Sequence, residues 1–157
     1  MITPILRYVP YKDLKEKLTT HGMQVNKTFY RSFTIVCIAT IGTIGTLAFL
    51  SGAVAVCVAS ALGLIATIFA SRAYKQSGII RAIETIKNEF PNELPSEELV
   101  LISRIKDSTN PALFYIKTKN GPKSLKELSN QATCCPSRSG LEGIQKAIVS
   151  LSENTDK

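Results

Sequence analysis

The chain has no tryptophan, one histidine and two methionines in 157 residues, and between Ser32 and Ser71 it has no Lys, Arg, Asp, Glu or His at all. Each absence removes a class of function. The single histidine, His21, stands beside Gly22 with no serine or cysteine motif near it, and reads as an exposed loop histidine. The sequence carries no HExxH, no GxSxG and no EF-hand spacing. Gly42 and Gly45 are followed by no lysine, so they form no phosphate loop. The chain is therefore read as a non-enzyme, with no cofactor, no metal site and no catalytic residue. An apolar run without ionisable groups also argues against an ion pump or a proton relay.

The cysteines add no framework. Cys37 and Cys57 lie inside the uncharged run, and Cys134 and Cys135 are neighbours in a loop. No spacing matches a zinc site or a CxxC pair, which is the usage of a reducing compartment. Basic residues are not interleaved with aromatics in any cluster, so nucleic acid is excluded as a partner.

What the chain does have is forty consecutive uncharged residues. A membrane span takes about 20 apolar residues, so the run is twice too long for one. Ser32–Leu50 and Ala53–Ser71 supply two arms, and Ser51 and Gly52 supply the turn between them. At about 1.5 Å per residue each arm reaches roughly 28 Å, close to a hydrocarbon core of about 30 Å. The reading is an all-α membrane protein: a two-span helical hairpin over 32–71, with a small, mainly helical C-terminal cytosolic domain.

Charge sets the orientation. Residues 1–31 carry six basic and two acidic groups, and residues 72–157 carry thirteen basic and ten acidic groups. Lys27 and Arg31 precede the run, and Arg72, Lys75 and Arg81 follow it. Both flanks are basic and the turn is uncharged, so both termini are expected on the cytoplasmic side, with the basic flanks facing anionic headgroups of the bilayer. Small residues recur along the arms: Ala39, Gly42, Thr43 and Thr46 on the first, and Ala55, Ala59, Gly63, Thr67 and Ser71 every four residues on the second. Such spacing lets helices approach closely in lipid, within one chain or between copies.

The flanks are organised as follows. Residues 1–31 combine a weakly charged, extended MITPILRYVP with a short amphipathic helix carrying Leu14 and Leu18 and ending at Gly22. After the run, Ile79, Ile83, Ile86 and Phe90 fall on one helical face. They continue the second span as a stem over 72–90, which Pro91 ends. This face needs a cover: the C-terminal domain, a second copy or a partner helix. Residues 91–157 read as short helices: Ser96, Glu97 and Glu98 as an N-cap with acids ahead of Leu99, Ile102 and Ile105; Asn110–Pro111 as cap and first helical residue; Ser124 and Glu127 as a capping box; and a final amphipathic helix through Ile144, Ile148 and Leu151. A short strand competes over 112–118, where ALFYIKT is rich in β formers. No heptad run is long enough for a stable coiled coil.

This plan resembles the chlamydial inclusion membrane (Inc) proteins, type III secreted effectors built on two closely spaced spans. MITPILRYVP takes the place of the secretion signal, SFTIVCIATIGTIGTLAFL and AVAVCVASALGLIATIFAS the two lobes, and Ser51-Gly52 the lumenal turn. The resemblance implies a virulence-related effector of the host vacuole (inclusion) membrane, with both termini in the host cytosol. It implies a stem and tail that recruit a host trafficking or cytoskeletal protein, and association with itself or with similar hairpin proteins. The same hydropathy also fits a resident bacterial inner-membrane scaffold, or a membrane-shaping hairpin.

Overall fold

Proline brackets the first strand. Pro4 and Pro10 bound a seven-residue extended segment (β1, Pro4–Pro10), and the fixed φ of Pro10 hands the chain directly to a helix. A computed structural model describes residues 4–90, 99–105, 109–132 and 136–154. In it α1 (Tyr11–Phe49) and α2 (Ala53–Asn88) are two long helices running antiparallel. They are followed by β2 (Leu99–Ile105), a 3-10 turn (Pro111–Leu113), β3 (Phe114–Thr118), β4 (Gly121–Ser124), α3 (Leu125–Asn130) and α4 (Arg138–Asn154). The expected cap at Ser96–Glu98, the stop at Pro91 and the Cys134–Cys135 pair lie outside the described residues.

The chain is mainly helical, but the all-α expectation is corrected by a four-stranded antiparallel sheet in the order β1-β2-β3-β4. Leu99–Ile105, read above as a helix, is a strand paired with β1 along its whole length, from Pro4↔Ile105 to Pro10↔Leu99. Short apolar runs satisfy either period; here a strand from the far end of the chain decides. The strand competing over 112–118 is present as β3, and it joins β4 in a hairpin closed at Gly121, whose φ of 105° favours glycine. Two local signals are realised as read. Asn110 Oδ1 accepts from Ala112 N at 3.1 Å, with Pro111 at the first helical position. Ser124 and Glu127 close a reciprocal capping box on α3, at 3.1 and 2.8 Å.

The sheet and the stem share one core. Val9 of β1, Ile102 of β2, Phe114 and Ile116 of β3, Leu125 and Leu128 of α3, and Leu141, Ile144 and Ile148 of α4 cluster with Leu14, Leu18, Ala82, Ile83, Ile86 and Phe90 of the long helices. Ile83, Ile86 and Phe90 are buried, and Ile79 packs partly buried against the same cluster. Of the three covers the sequence left open for this candidate partner face, Ile79, Ile83, Ile86 and Phe90, the chain's own head is the one present. Tyr11 and Phe90 meet ring to ring, 5.6 Å between centroids, and Lys123 ties Glu89 at 2.9 Å beneath the sheet. Among the described residues, parts of segments 1–31, 72–90 and 91–157 thus build one head around the paired ends of the two long helices.

The short N-terminal helix does not stop at Gly22. Gly22 lies within α1, where a Cβ would meet Ile83 at 3.8 Å. A Cβ at that distance would make an ordinary contact, so this glycine neither ends the helix nor is required by the packing.

Candidate membrane hairpin and its interfacial belt

Both long helices contain windows long and apolar enough to cross a membrane, and only 11% of each window is buried. The core helix of a soluble protein would be mostly covered. Here Ile38, Ile41, Ile44, Leu47, Val54, Val56, Leu64 and Ile68 are all exposed, and Phe49 at the tip is 92% exposed. Six hydroxyls along the two arms are satisfied internally. Thr34, Thr40, Thr43, Thr46, Ser60 and Thr67 each donate to the carbonyl four residues back, at 2.7 to 2.9 Å. Polar side chains disposed in this way suit an apolar surrounding.

The connection falls at Ser51 and Gly52. Leu50 N donates to Thr46 O at 2.9 Å to close α1, and Gly52 takes φ 84° before α2 begins. A side chain there would be strained, so the tight turn depends on glycine.

The helices meet along a seam with alternating spacings of four and three residues. On α1 the shielded positions from Leu18 include Gly22, Val25, Phe29, Ser32, Val36, Ala39, Thr43 and Thr46, with His21, Cys37, Gly42 and Gly45 beside them. On α2 they include Ala55, Ala59, Leu62, Ala66, Phe69, Ala73, Gln76, Ile80 and Ile83, with Gly63, Ser77, Gly78, Ile79 and Ala82 beside them. Steps of four and three average 3.5 residues, the spacing that keeps two helices in contact. Of the sequence-assigned packing residues, Ala39, Thr46, Ala55 and Ala59 lie in the seam, and a Cβ on Gly42 would stand 3.2 Å from Leu62. Gly63 is off it, with nothing within 4 Å of its Cβ position, and Thr67 and Ser71 are exposed. The reason is geometric. A strict four-residue repeat advances about 40° per step around a helix of 3.6 residues per turn, so the small stripe from Ala55 has wound off the contact by its second step, at Gly63, whereas 3.5 holds it in place.

The pairs Gly22–Ile83, Gly42–Leu62 and Lys87–Thr19, the last a hydrogen bond of 2.8 Å, fix the register. That register places Tyr30 and Arg31 on α1 level with Tyr74 and Lys75 on α2, with Arg72 level with Phe33 and Lys27 about one turn nearer the head. Tyr30 and Tyr74 are 61% and 66% exposed. Phe29 stacks on Phe33, and the Arg72 guanidinium lies 5.3 Å over the Phe69 ring. Four of the five charges singled out in the sequence thus form one belt. Arg81 lies on the head side of the belt, about 9 Å beyond Lys75 along α2 at about 1.5 Å per residue. The aromatic half of the belt, Tyr30, Phe33, Phe69 and Tyr74, was not picked out from the sequence, although rings beside basic flanks are the usual marker of an interface. From Arg31 to Leu50 is about 28 Å of helix, so belt and turn are one bilayer core apart. No acidic residue occurs between Glu16 and Glu84, which leaves the belt a single-sign band.

His21 is not in a loop. It lies within α1, its ring 3.9 Å from the Cβ position of Gly143 on α4. Burial, and secondarily Lys17, hold its pKa below the ordinary value. Among the described residues no group of three or more His, Cys, Asp or Glu could hold a metal ion. Comparison with protein-family models, curated proteins and solved structures found no match.

Proposed function

We propose that the chain is a membrane-anchored adaptor whose hairpin crosses a bilayer twice, with Ser51–Gly52 on the far side and the head on the near side. The observation that carries this reading is the exposed apolar hairpin, bounded at one end by an uncharged turn and at the other by the basic, aromatic belt. A surface of that size left in water would drive association. In lipid it is the solvent-facing side, and the basic belt belongs on the cytoplasmic face.

On the inclusion-protein resemblance, that cytoplasmic face is the host cytosol and the head recruits a host protein. The stem isoleucines are spent on the core, so recruitment falls to the head's outer surface. Leu6 and Tyr8 of β1 are each 58% exposed there, and Tyr115 of β3 is 40% exposed. The register supports a single face, because Leu6 pairs with Ser103, and Ser103 with Tyr115.

The test is location and topology together. Tags at both ends, probed after selective permeabilisation of the host plasma membrane, should both be exposed on the vacuole surface. Tags confined to the bacterium would leave the hairpin standing and favour the inner-membrane scaffold. Deleting residues 1–15 would not test export cleanly, since Val9 and Leu14 are fully buried and the head would be damaged. Grafting residues 1–15 onto a reporter isolates the export question.

A further inference from the structure

We infer that Lys27, Tyr30, Arg31, Thr34 and Ile35 form a binding site for the headgroup of an anionic phospholipid, on the face of α1 turned away from α2. The inference rests on the membrane-spanning reading of the hairpin and makes a narrower claim: one lipid class is selected at one place in the belt.

These five residues line a shallow groove of about 580 Å³. Two rows build it, Lys27–Arg31–Ile35 and Tyr30–Thr34, each stepping four residues along the helix. Neighbouring Phe29 and Ser32 are shielded in the seam while Tyr30 and Arg31 are exposed, so the groove faces outward, where lipid would lie. Its two ends differ in chemistry. Lys27 and Arg31 stand at the head-proximal end, and Ile35 begins the apolar run. That is the polarity of an amphiphile with phosphate uppermost and acyl chain below.

The donors are specific groups. Lys27 offers an ammonium, Arg31 a guanidinium fork suited to phosphate oxygens, and Tyr30 a phenol hydroxyl. Thr34 donates its hydroxyl proton to Tyr30 O at 2.9 Å, so it contributes bulk rather than a donor. On the opposite helix Arg72 is stacked over Phe69, which leaves the α1 side as the more open half of the belt. Neither helix carries a carboxylate between Glu16 and Glu84. Two cations one turn apart therefore face lipid with no acid on either helix at that level. A choline headgroup, whose own cation neutralises its phosphate, would meet repulsion; a net-negative headgroup would not.

The absence of tryptophan supplies a clean reporter. Phe33 is 51% exposed beside the groove, and Phe33→Trp places the sole indole there with aromatic character kept. The full chain would be reconstituted in phosphatidylcholine vesicles containing a minor fraction of brominated phosphatidylserine, or the same fraction of brominated phosphatidylcholine, and checked by flotation. The expected result is at least about fivefold stronger quenching by the anionic lipid, since each of the two cations contributes about fivefold at an anionic surface. Selection should vanish in Lys27→Gln/Arg31→Gln and persist in Lys12→Gln/Lys15→Gln. If the double variant does not float, Arg31→Gln alone reads the same quantity. Equal quenching by the two lipids in protein that floats would overturn the headgroup site and leave the hairpin intact. Equal loss of selection in both double variants would overturn it in favour of a diffuse field. Failure to float with either vesicle would overturn the hairpin reading as well.

Discussion

A Cβ on Gly140 would stand 2.6 Å from Cγ1 of Ile79, so α4 lies flush on α2 at this point. Ile79 is one helical turn from Lys75, and the contact therefore ties the start of α4 to the stem just above the belt. The head is consequently not a loose appendage on a stalk. It is clasped along the stem from Gly140 near the belt to the Tyr11–Phe90 ring contact near the sheet.

Gly140→Ala should force Ile79 aside and destabilise the head by about 1–3 kcal/mol, the usual range for overpacking. Combining it with Ile79→Ala should recover part of that loss, a non-additivity of about 0.5–3 kcal/mol expected of touching residues. Thermal unfolding in detergent reads both. Strict additivity would show that the two residues do not share a contact.

Ile86 and Tyr8 separate core from surface. Ile86→Ala should cost about 2–5 kcal/mol, because the side chain is fully buried. Tyr8→Ser on the outer sheet face should change head stability little and reduce partner capture instead. Protease resistance of the head, alongside pull-down with the intact chain, distinguishes the two effects. An Ile86→Ala chain as stable as the parent would return the stem isoleucines to the surface.

His21 makes the α1–α4 contact sensitive to acid. Its folded pKa lies below the ordinary 6.5 because burial, and then Lys17, disfavour the charged ring. The sign follows: the stabilising contribution is complete above that ordinary value and is lost as pH falls through the lowered folded pKa. Melting of the parent should therefore drop more steeply on acidification than melting of His21→Gln. Parallel profiles would contradict the assignment.

Gln76 sits in the seam with its Oε1 buried and unpartnered among the described residues. Gln76→Leu removes an orphaned acceptor at a heptad position, and should be neutral or raise stability by about 1–3 kcal/mol. A large loss would mean that the amide has a partner in the assembled protein.

Legibility in the sequence followed range. The hairpin, the Ser51–Gly52 turn and the Ser124–Glu127 capping box are set by residues near one another, and each could be read directly. The pairing of β1 with β2 could not. Leu99, Ile102 and Ile105 have helical spacing, and only a strand from the other end of the chain reverses that reading. The seam was hidden for a different reason. Where every residue is apolar, hydropathy carries no contrast between the inner and outer faces, and small side chains such as Ala39, Ala66 and Ala73 mark the seam only in part, because Phe29, Leu62 and Phe69 also lie in it. The amphipathic stem was visible through Ile79, Ile83 and Ile86, but periodicity states that a face must be covered, not by what.

The most direct test of the account is the position of the turn relative to the head. In a background with all four cysteines replaced, Ser51→Cys and Lys12→Cys variants in sealed, oriented vesicles would be treated with a membrane-impermeant maleimide from one side. The account predicts that Lys12→Cys labels from the head side only and Ser51→Cys from the opposite side only. Labelling of both from the same side, or recovery of the chain in the soluble fraction, would contradict it.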